Sequence, residues 1–166
     1  MNDYEKNFGG DKSTIQRFLE ILSLLIVVGM TIYTFVMCQG LPDQVATHFN
    51  AIGEVDGFGS KWILWWMVGL MFFMYGIMFL APKMKKIYNY PVKITEENKE
   101  RQFELVSVFM RVIVFESLML LGFIQCSTVN NALDESENLN PVVMFVILGL
   151  MLVSTVIYVI KSIKER

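Results

Sequence analysis

Histidine occurs once in these 166 residues, at position 48, and cysteine twice, at 38 and 126. A single imidazole excludes the two-histidine zinc motif H-E-x-x-H. The chain equally lacks a G-x-S-x-G nucleophile elbow and a glycine-rich phosphate loop. No pair of catalytic-looking carboxylates flanks the histidine, so the residues predict a protein that is not an enzyme and that needs no cofactor and no metal. Proline is confined to positions 42, 82, 91 and 141, and none falls inside a long apolar run. Lys and Arg are sparse too, with 14 in the whole chain, and their placement is uneven. What remains is apolar: 54% of residues are hydrophobic and the mean hydropathy is +0.48.

The apolar residues gather in four runs, at 18–38, 62–81, about 106–125 and 141–160. Crossing the hydrocarbon of a bilayer takes roughly 20 mostly apolar helical residues, and each run meets that length. The first, second and fourth are apolar all round, as a helix surrounded by lipid is. The predicted fold class is an all-α integral membrane protein: four transmembrane helices in a bundle, with a small ordered extracytoplasmic loop. The parts are an N-terminal tail at 1–17, one membrane domain at 18–160 and a C-terminal tail at 161–166. The membrane domain has outer loops at 39–61 and 126–140 and an inner loop at 82–105. The first run is too long for a signal-peptide core, and Phe35 to Gly40 offers no small-x-small cleavage site, so it reads as an uncleaved span.

Basic residues alternate with loop parity. Lys6, Lys12 and Arg17 lie in the N-terminal tail. Lys83, Lys85, Lys86, Lys93, Lys99 and Arg101 lie in the middle loop, and Lys161, Lys164 and Arg166 end the chain. The other two loops hold Lys61 alone. The positive-inside rule therefore predicts both termini and the middle loop in the cytoplasm, with Trp62, Trp65 and Trp66 at the outer interface. The outer loops are acidic, through Asp43, Glu54 and Asp56 in one and Asp134, Glu135 and Glu137 in the other. The basic inner face suits anionic headgroups. It lacks any motif for nucleic acid, so no nucleic-acid partner is expected.

Two polar segments carry more than linker composition. In 41–61, Val45, Thr47 and Phe49 alternate with Ala46 and His48, and turn residues follow at 50–53 and 56–59. This predicts a small hairpin or cap resting on the helix ends, held by Phe49, Ile52 and Phe58. In 89–102, Pro91 precedes Thr95, a candidate N-cap followed by Glu96 and Glu97. From there a helix of about 30 residues runs into the third span, with its first turns outside the bilayer. The first segment resembles the signature of an uncharacterised bacterial membrane-domain family, L-P then H-F-N/D-x-x-G-x-x-D-x-x-G-S-K. The matching residues are Leu41, Pro42, His48, Phe49, Asn50, Gly53, Asp56, Gly59, Ser60 and Lys61. The second segment is similar to another block in small members of that family. The same domain forms the N-terminal part of the immunity protein of the sporulation-delaying-protein toxin system of Gram-positive bacteria. That protein's second membrane module has no counterpart in these 166 residues. The resemblance implies a multi-pass protein of the bacterial cell membrane, and by association an immunity role.

Several residues invite chemistry. His48 with Asp43, Glu54 and Asp56 could be drawn as a metal site, but the residue set favours a structural histidine, with Asp56 and Asn50 capping turns. Lys61 and Asp56 are candidates for an ion pair. Glu116 sits mid-span, where an acidic side chain costs on the order of 3 kcal/mol. It calls for a partner, expected on Thr31, Tyr33 or Thr34 of the first span or Tyr75 of the second. It reads either as a proton-linked or ligand-binding carboxyl or as interhelical glue. Arg111 is five residues away, about 140° around a helix, and is expected to share a face with Glu104 and reach the inner surface. Glu20 is expected to pair with Arg17 or the third helix. Met67, Met71, Met74 and Met78 form a stripe that suits packing better than copper. Cys38 and Cys126 fall at similar depth and are candidates for a disulfide. Gly69, Gly76, Gly122, Gly149 and Ser154 permit close helix approach.

The leading expectation is a small membrane protein of the toxin-immunity type. It acts by binding a peptide toxin, a regulator or a membrane protein, through the outer loop. A second is a proton-coupled carrier, dimeric because four spans enclose little space, with Glu116 in its path. A third is a structural subunit of a larger membrane complex.

Overall fold

The computed structural model describes residues 14–80, 88–135 and 137–166. Lys6 and Lys12 of the N-terminal tail and Lys83, Lys85 and Lys86 of the middle loop lie outside the described residues. In chain order the elements are α1 (Thr14–Met37), β1 (Gln44–Phe49), β2 (Val55–Ser60), α2 (Ile63–Leu80), α3 (Lys99–Leu133) and α4 (Pro141–Lys164). All four helices are long and apolar enough to cross a membrane. This gives the chain the form of a multi-pass membrane protein with a two-stranded sheet at one end of its helices.

α3 is the organising element. At 35 residues it extends about 52 Å. Thr95 is not the N-cap but closes the turn just before the helix: the Asn98 N–H gives to Thr95 Oγ1 at 3.3 Å and the Thr95 N–H to Asn98 Oδ1 at 2.8 Å. The regular helix then begins at Lys99, with Asn98 at its N-cap. At its other end α3 outruns the expected boundary at Gln125 by two turns. Cys126–Leu133 is polar but contains neither Gly nor Pro, and Ser127, Thr128, Val129 and Asn131 are buried there, Val129 against Leu41 and Val45 of the cap. The loop between α3 and α4 is therefore 134–140, shorter than hydropathy alone suggests.

The helices do not form a symmetrical four-helix bundle. α1, α2 and α3 pack on one another around Val27, Met71, Met78, Val114 and Leu118, with Met74 and Tyr75 against them. The methionine stripe is thus a packing face. α4 packs on α3 and makes at most marginal contact with α1 or α2. Its one buried residue is Ser162, so its apolar surface is left uncovered. Of the small residues, Gly122 marks a close approach, since a Cβ there would lie 3.7 Å from the Met30 side chain. Gly69, Gly76 and Gly149 face open space within the chain.

β1 and β2 pair antiparallel, from Gln44 opposite Ser60 to Phe49 opposite Val55, with irregularities on either side of His48. The irregularities break the alternation expected from Val45 to Phe49. Val45 and Ala46 are both buried in sequence, and Thr47 and His48 both exposed. The cap is accordingly held by residues other than those anticipated. Leu41 and Val45 pack with Leu64 of α2 and Val129 of α3, whereas Ile52 and Phe58 are 66% and 65% exposed.

Candidate functional site

Several residues of the cap have a local physical task. Asn50 Oδ1 accepts the N–H groups of Ile52 and Glu54 at 3.1 and 3.0 Å, closing the turn between the strands. Gly53 in that turn has φ +87°, a conformation that disfavours any side chain. Its carbonyl accepts the Leu139 N–H at 3.0 Å, and a Cβ on Gly53 would lie 1.9 Å from the Leu139 oxygen. This contact ties the hairpin tip to the loop that leads into α4. Gly59 makes room for Thr47 across the strands. Ser60 Oγ accepts the Trp62 N–H at 3.4 Å at the entrance to α2.

The charges of the cap are partnered differently from expectation. His48 Nδ1 hydrogen-bonds Asp56 Oδ1 across the strands. Lys61 Nζ reaches Asp43 at 3.2 Å and the Leu41 carbonyl at 3.0 Å, so its ion pair is with Asp43 and not Asp56. The reason is direction: Asp56 adjoins Gly57, the residue paired with His48 in the irregular part of the ladder, while Asp43 lies beside the entrance to α2, where its carbonyl accepts the Lys61 N–H at 3.0 Å. Among the described residues no group of three His, Cys, Asp or Glu side chains is placed to hold a metal ion.

Beside this cap is a groove of about 330 Å³, lined by Glu54, Val55 and Phe58 on the hairpin and by Asn131, Glu135 and Asn138 on the other wall. Neither Asn131 nor Asn138 stood out in the sequence. They come within reach because α3 continues past the bilayer-length segment and because Gly53 and Leu139 hold the two loops together. A second opening is lined by Trp62, Trp65 and Trp66 at the start of α2.

Within the helices, polar residues form two separate rows on α3. Toward α1, Arg111 Nε donates to Glu20 Oε1 at 2.9 Å, with side-chain exposures of 3% and 11%. The same guanidinium donates to Ser107 through its backbone oxygen at 2.8 Å and its Oγ at 2.6 Å. Fourteen residues further along both helices, Gln125 donates to Thr34 Oγ1. Arg111 therefore does not reach to the membrane surface. A partner on α1 at the same depth neutralises it, and the helix around it supplies the remaining acceptors.

Toward α4 the row is Gln102, Phe109 and Glu116, seven residues apart, facing Ser162, Tyr158 and Ser154, four apart, on an antiparallel neighbour. Gln102 Nε2 donates to the Ser162 and Glu165 carbonyls at 3.0 and 3.1 Å, and Ser162 Oγ donates back to Gln102 Oε1 at 2.5 Å. Phe109 stacks on Tyr158 with ring centroids 4.3 Å apart. Ser154 Oγ donates to Glu116 Oε1 at 2.7 Å. The partner of Glu116 is thus on α4 and not on the first or second span. Its other oxygen, Oε2, is buried with no hydrogen bond among the described residues. Cys38 and Cys126 are free, half-buried thiols, and Cys126 hydrogen-bonds with Tyr33.

Residues 25–72 match the model of a family described as a domain of unknown function, DUF1648. The match takes in the second half of α1, the whole cap and the first half of α2. No curated protein and no solved structure matches the chain.

Proposed function

We propose that this chain is a small multi-pass protein of the bacterial cell membrane, of the toxin-immunity type, that acts by binding a peptide, a regulator or a membrane partner at its hairpin end. The observation that carries this reading is the cap: a fully ordered hairpin pinned to the helix ends through Gly53 and Leu139, beside a groove with exposed Phe58 and two carboxylates. Turns that merely join two spans need no such construction. The Lys and Arg bias supports placing both termini and the middle loop in the cytoplasm, which puts the cap outside. The immunity role rests on the signature resemblance alone, since the matched family is described as one of unknown function.

The test replaces Phe58 by a photo-crosslinking phenylalanine analogue in the native host. Irradiation is expected to yield one discrete peptide or protein adduct. Adducts with lipid alone would sink the reading. A second reading, a proton-coupled carrier, is favoured by one observation: the buried Glu116 oxygen that lacks a partner near the middle of the third span. It predicts that Glu116→Gln stops transport in reconstituted vesicles; a wild-type rate in that variant would remove it.

A further inference from the structure

The groove between the hairpin and the end of α3 is lined by the carboxylates of Glu54 and Glu135, the side-chain amides of Asn131 and Asn138, and the apolar Val55 and Phe58. Asn131 is only 5% exposed. It spends its amide nitrogen on the backbone oxygens of Glu135 and Glu137, at 3.4 and 2.8 Å. Its side-chain oxygen accepts no hydrogen bond among the described residues, yet Asn131 lines the groove. The Glu135 carboxylate is exposed and likewise has no partner among the described residues. Glu54 opposes it from the hairpin and holds only a long 3.3 Å contact from Asn50. The other carboxylates of the cap are already engaged, Asp43 by Lys61 and Asp56 by His48. Phe58, 65% exposed, supplies an aromatic wall.

A site of two carboxylates, one amide oxygen and an aromatic ring calls for a cation that donates several hydrogen bonds and accepts none. Guanidinium fits that description: it is planar, has five N–H donors, pairs with carboxylates in a fork and stacks on aromatic faces. The ligand cannot be the same end of a second copy, because Lys61 is the one Lys or Arg in these two loops and it is spent on Asp43 and Leu41. We infer that this groove, formed by Glu54, Phe58, Asn131 and Glu135, is a guanidinium-binding site that receives an arginine side chain of a peptide partner. The inference rests on the partner-binding reading above and names its chemistry.

The test uses the full chain in nanodiscs of zwitterionic lipid, so that headgroups do not attract the probe. The probes are a short oligoarginine peptide, its citrulline isostere, and agmatine as a free guanidinium. Oligoarginine is expected to bind, and oligocitrulline to bind at least about tenfold more weakly. The Glu54→Gln/Glu135→Gln variant loses a similar factor, while Asp43→Asn/Asp56→Asn stays within about twofold of the parent. Thermal unfolding of each variant separates lost folding from lost binding. Agmatine displaces the peptide only at far higher concentration. Equal binding of the citrulline peptide, or equal loss in the Asp43/Asp56 variant, overturns the site as diffuse acidic attraction. Agmatine binding as tightly as the peptide overturns the peptide assignment in favour of a free small cation. If oligoarginine does not bind while crosslinking at Phe58 still captures a partner, guanidinium recognition fails and partner binding stands.

Discussion

Arg111 and Glu116 lie five residues apart on one helix and answer to different neighbours, Glu20 of α1 and Ser154 of α4. Breaking the Glu20–Arg111 pair leaves an uncompensated charge in a low-dielectric interior. Glu20→Gln is therefore expected to destabilise the protein by about 3–5 kcal/mol, whereas Glu20→Leu with Arg111→Met costs far less or nothing. Unfolding titrations in mixed micelles check both. At Gly53 the constraint is steric. With φ at +87° and the Leu139 oxygen where a Cβ would go, Gly53→Ala is expected to cost about 1–3 kcal/mol. Hydrogen exchange should rise at 50–56 and at 137–140 together; a rise confined to the turn would mean that the tie to Leu139 is unimportant. Tyr90, in the segment before α3, has its hydroxyl pushed up to about 12 by burial, with Tyr158 and Tyr88 adding to the effect. A folded-state value above the unfolded one means the neutral phenol stabilises the fold. That contribution is whole below pH 10 and is lost as pH rises from 10 toward 12. Tyr90→Phe should flatten the stability profile over that interval.

Elements differed in how much of them could be read in advance. The four spans were legible because hydropathy and length alone specify a helix in lipid. The cap was legible through its turn residues, yet the residues that hold it were not. Two ladder irregularities turn Val45 and Ala46 inward together, and nothing in a period-two pattern announces them. Helical arithmetic did show that Arg111 and Glu116 occupy different faces. It could not show which helix each face meets, because that depends on how the spans are arranged in the plane. The end of α3 was misplaced for a related reason: hydropathy locates the membrane boundary, and helix C-termini follow capping and packing instead. The α4 attachment yields an element-scale prediction. Gln102 and Ser162 close the helix ends with three hydrogen bonds, so Gln102→Leu should raise exchange over 158–166 while leaving α1 and α2 unchanged. A global loss of protection would instead make α4 part of one cooperative unit with the rest.

At the scale of the whole molecule, the cap lies at one end of the helices, and the start of α1 at Thr14 and the end of α4 at Lys164 lie at the other. Gln102 and Gln125, which tie α3 to its neighbours, are 23 residues or about 35 Å apart, close to the thickness of a bilayer core. Arg111–Glu20 and Glu116–Ser154 flank the middle of that distance. The basic ends and the acidic cap predict that Thr47→Cys, in a background with Cys38 and Cys126 replaced by Ser, is labelled by an impermeant maleimide on intact cells. Arg166→Cys in the same background should react only after permeabilisation. The reverse pattern would invert the topology and place the groove in the cytoplasm. α4, with its apolar surface uncovered, and the acidic groove both leave room for a companion. The most direct measurement is affinity purification of the full chain from its native membrane in mild detergent, with native mass determination, beside the Glu54→Gln/Glu135→Gln variant. The account predicts a stoichiometric peptide or protein partner with the parent chain and its loss with the variant. A parent chain that purifies alone, or as a homodimer with the same mass as the variant, would contradict it.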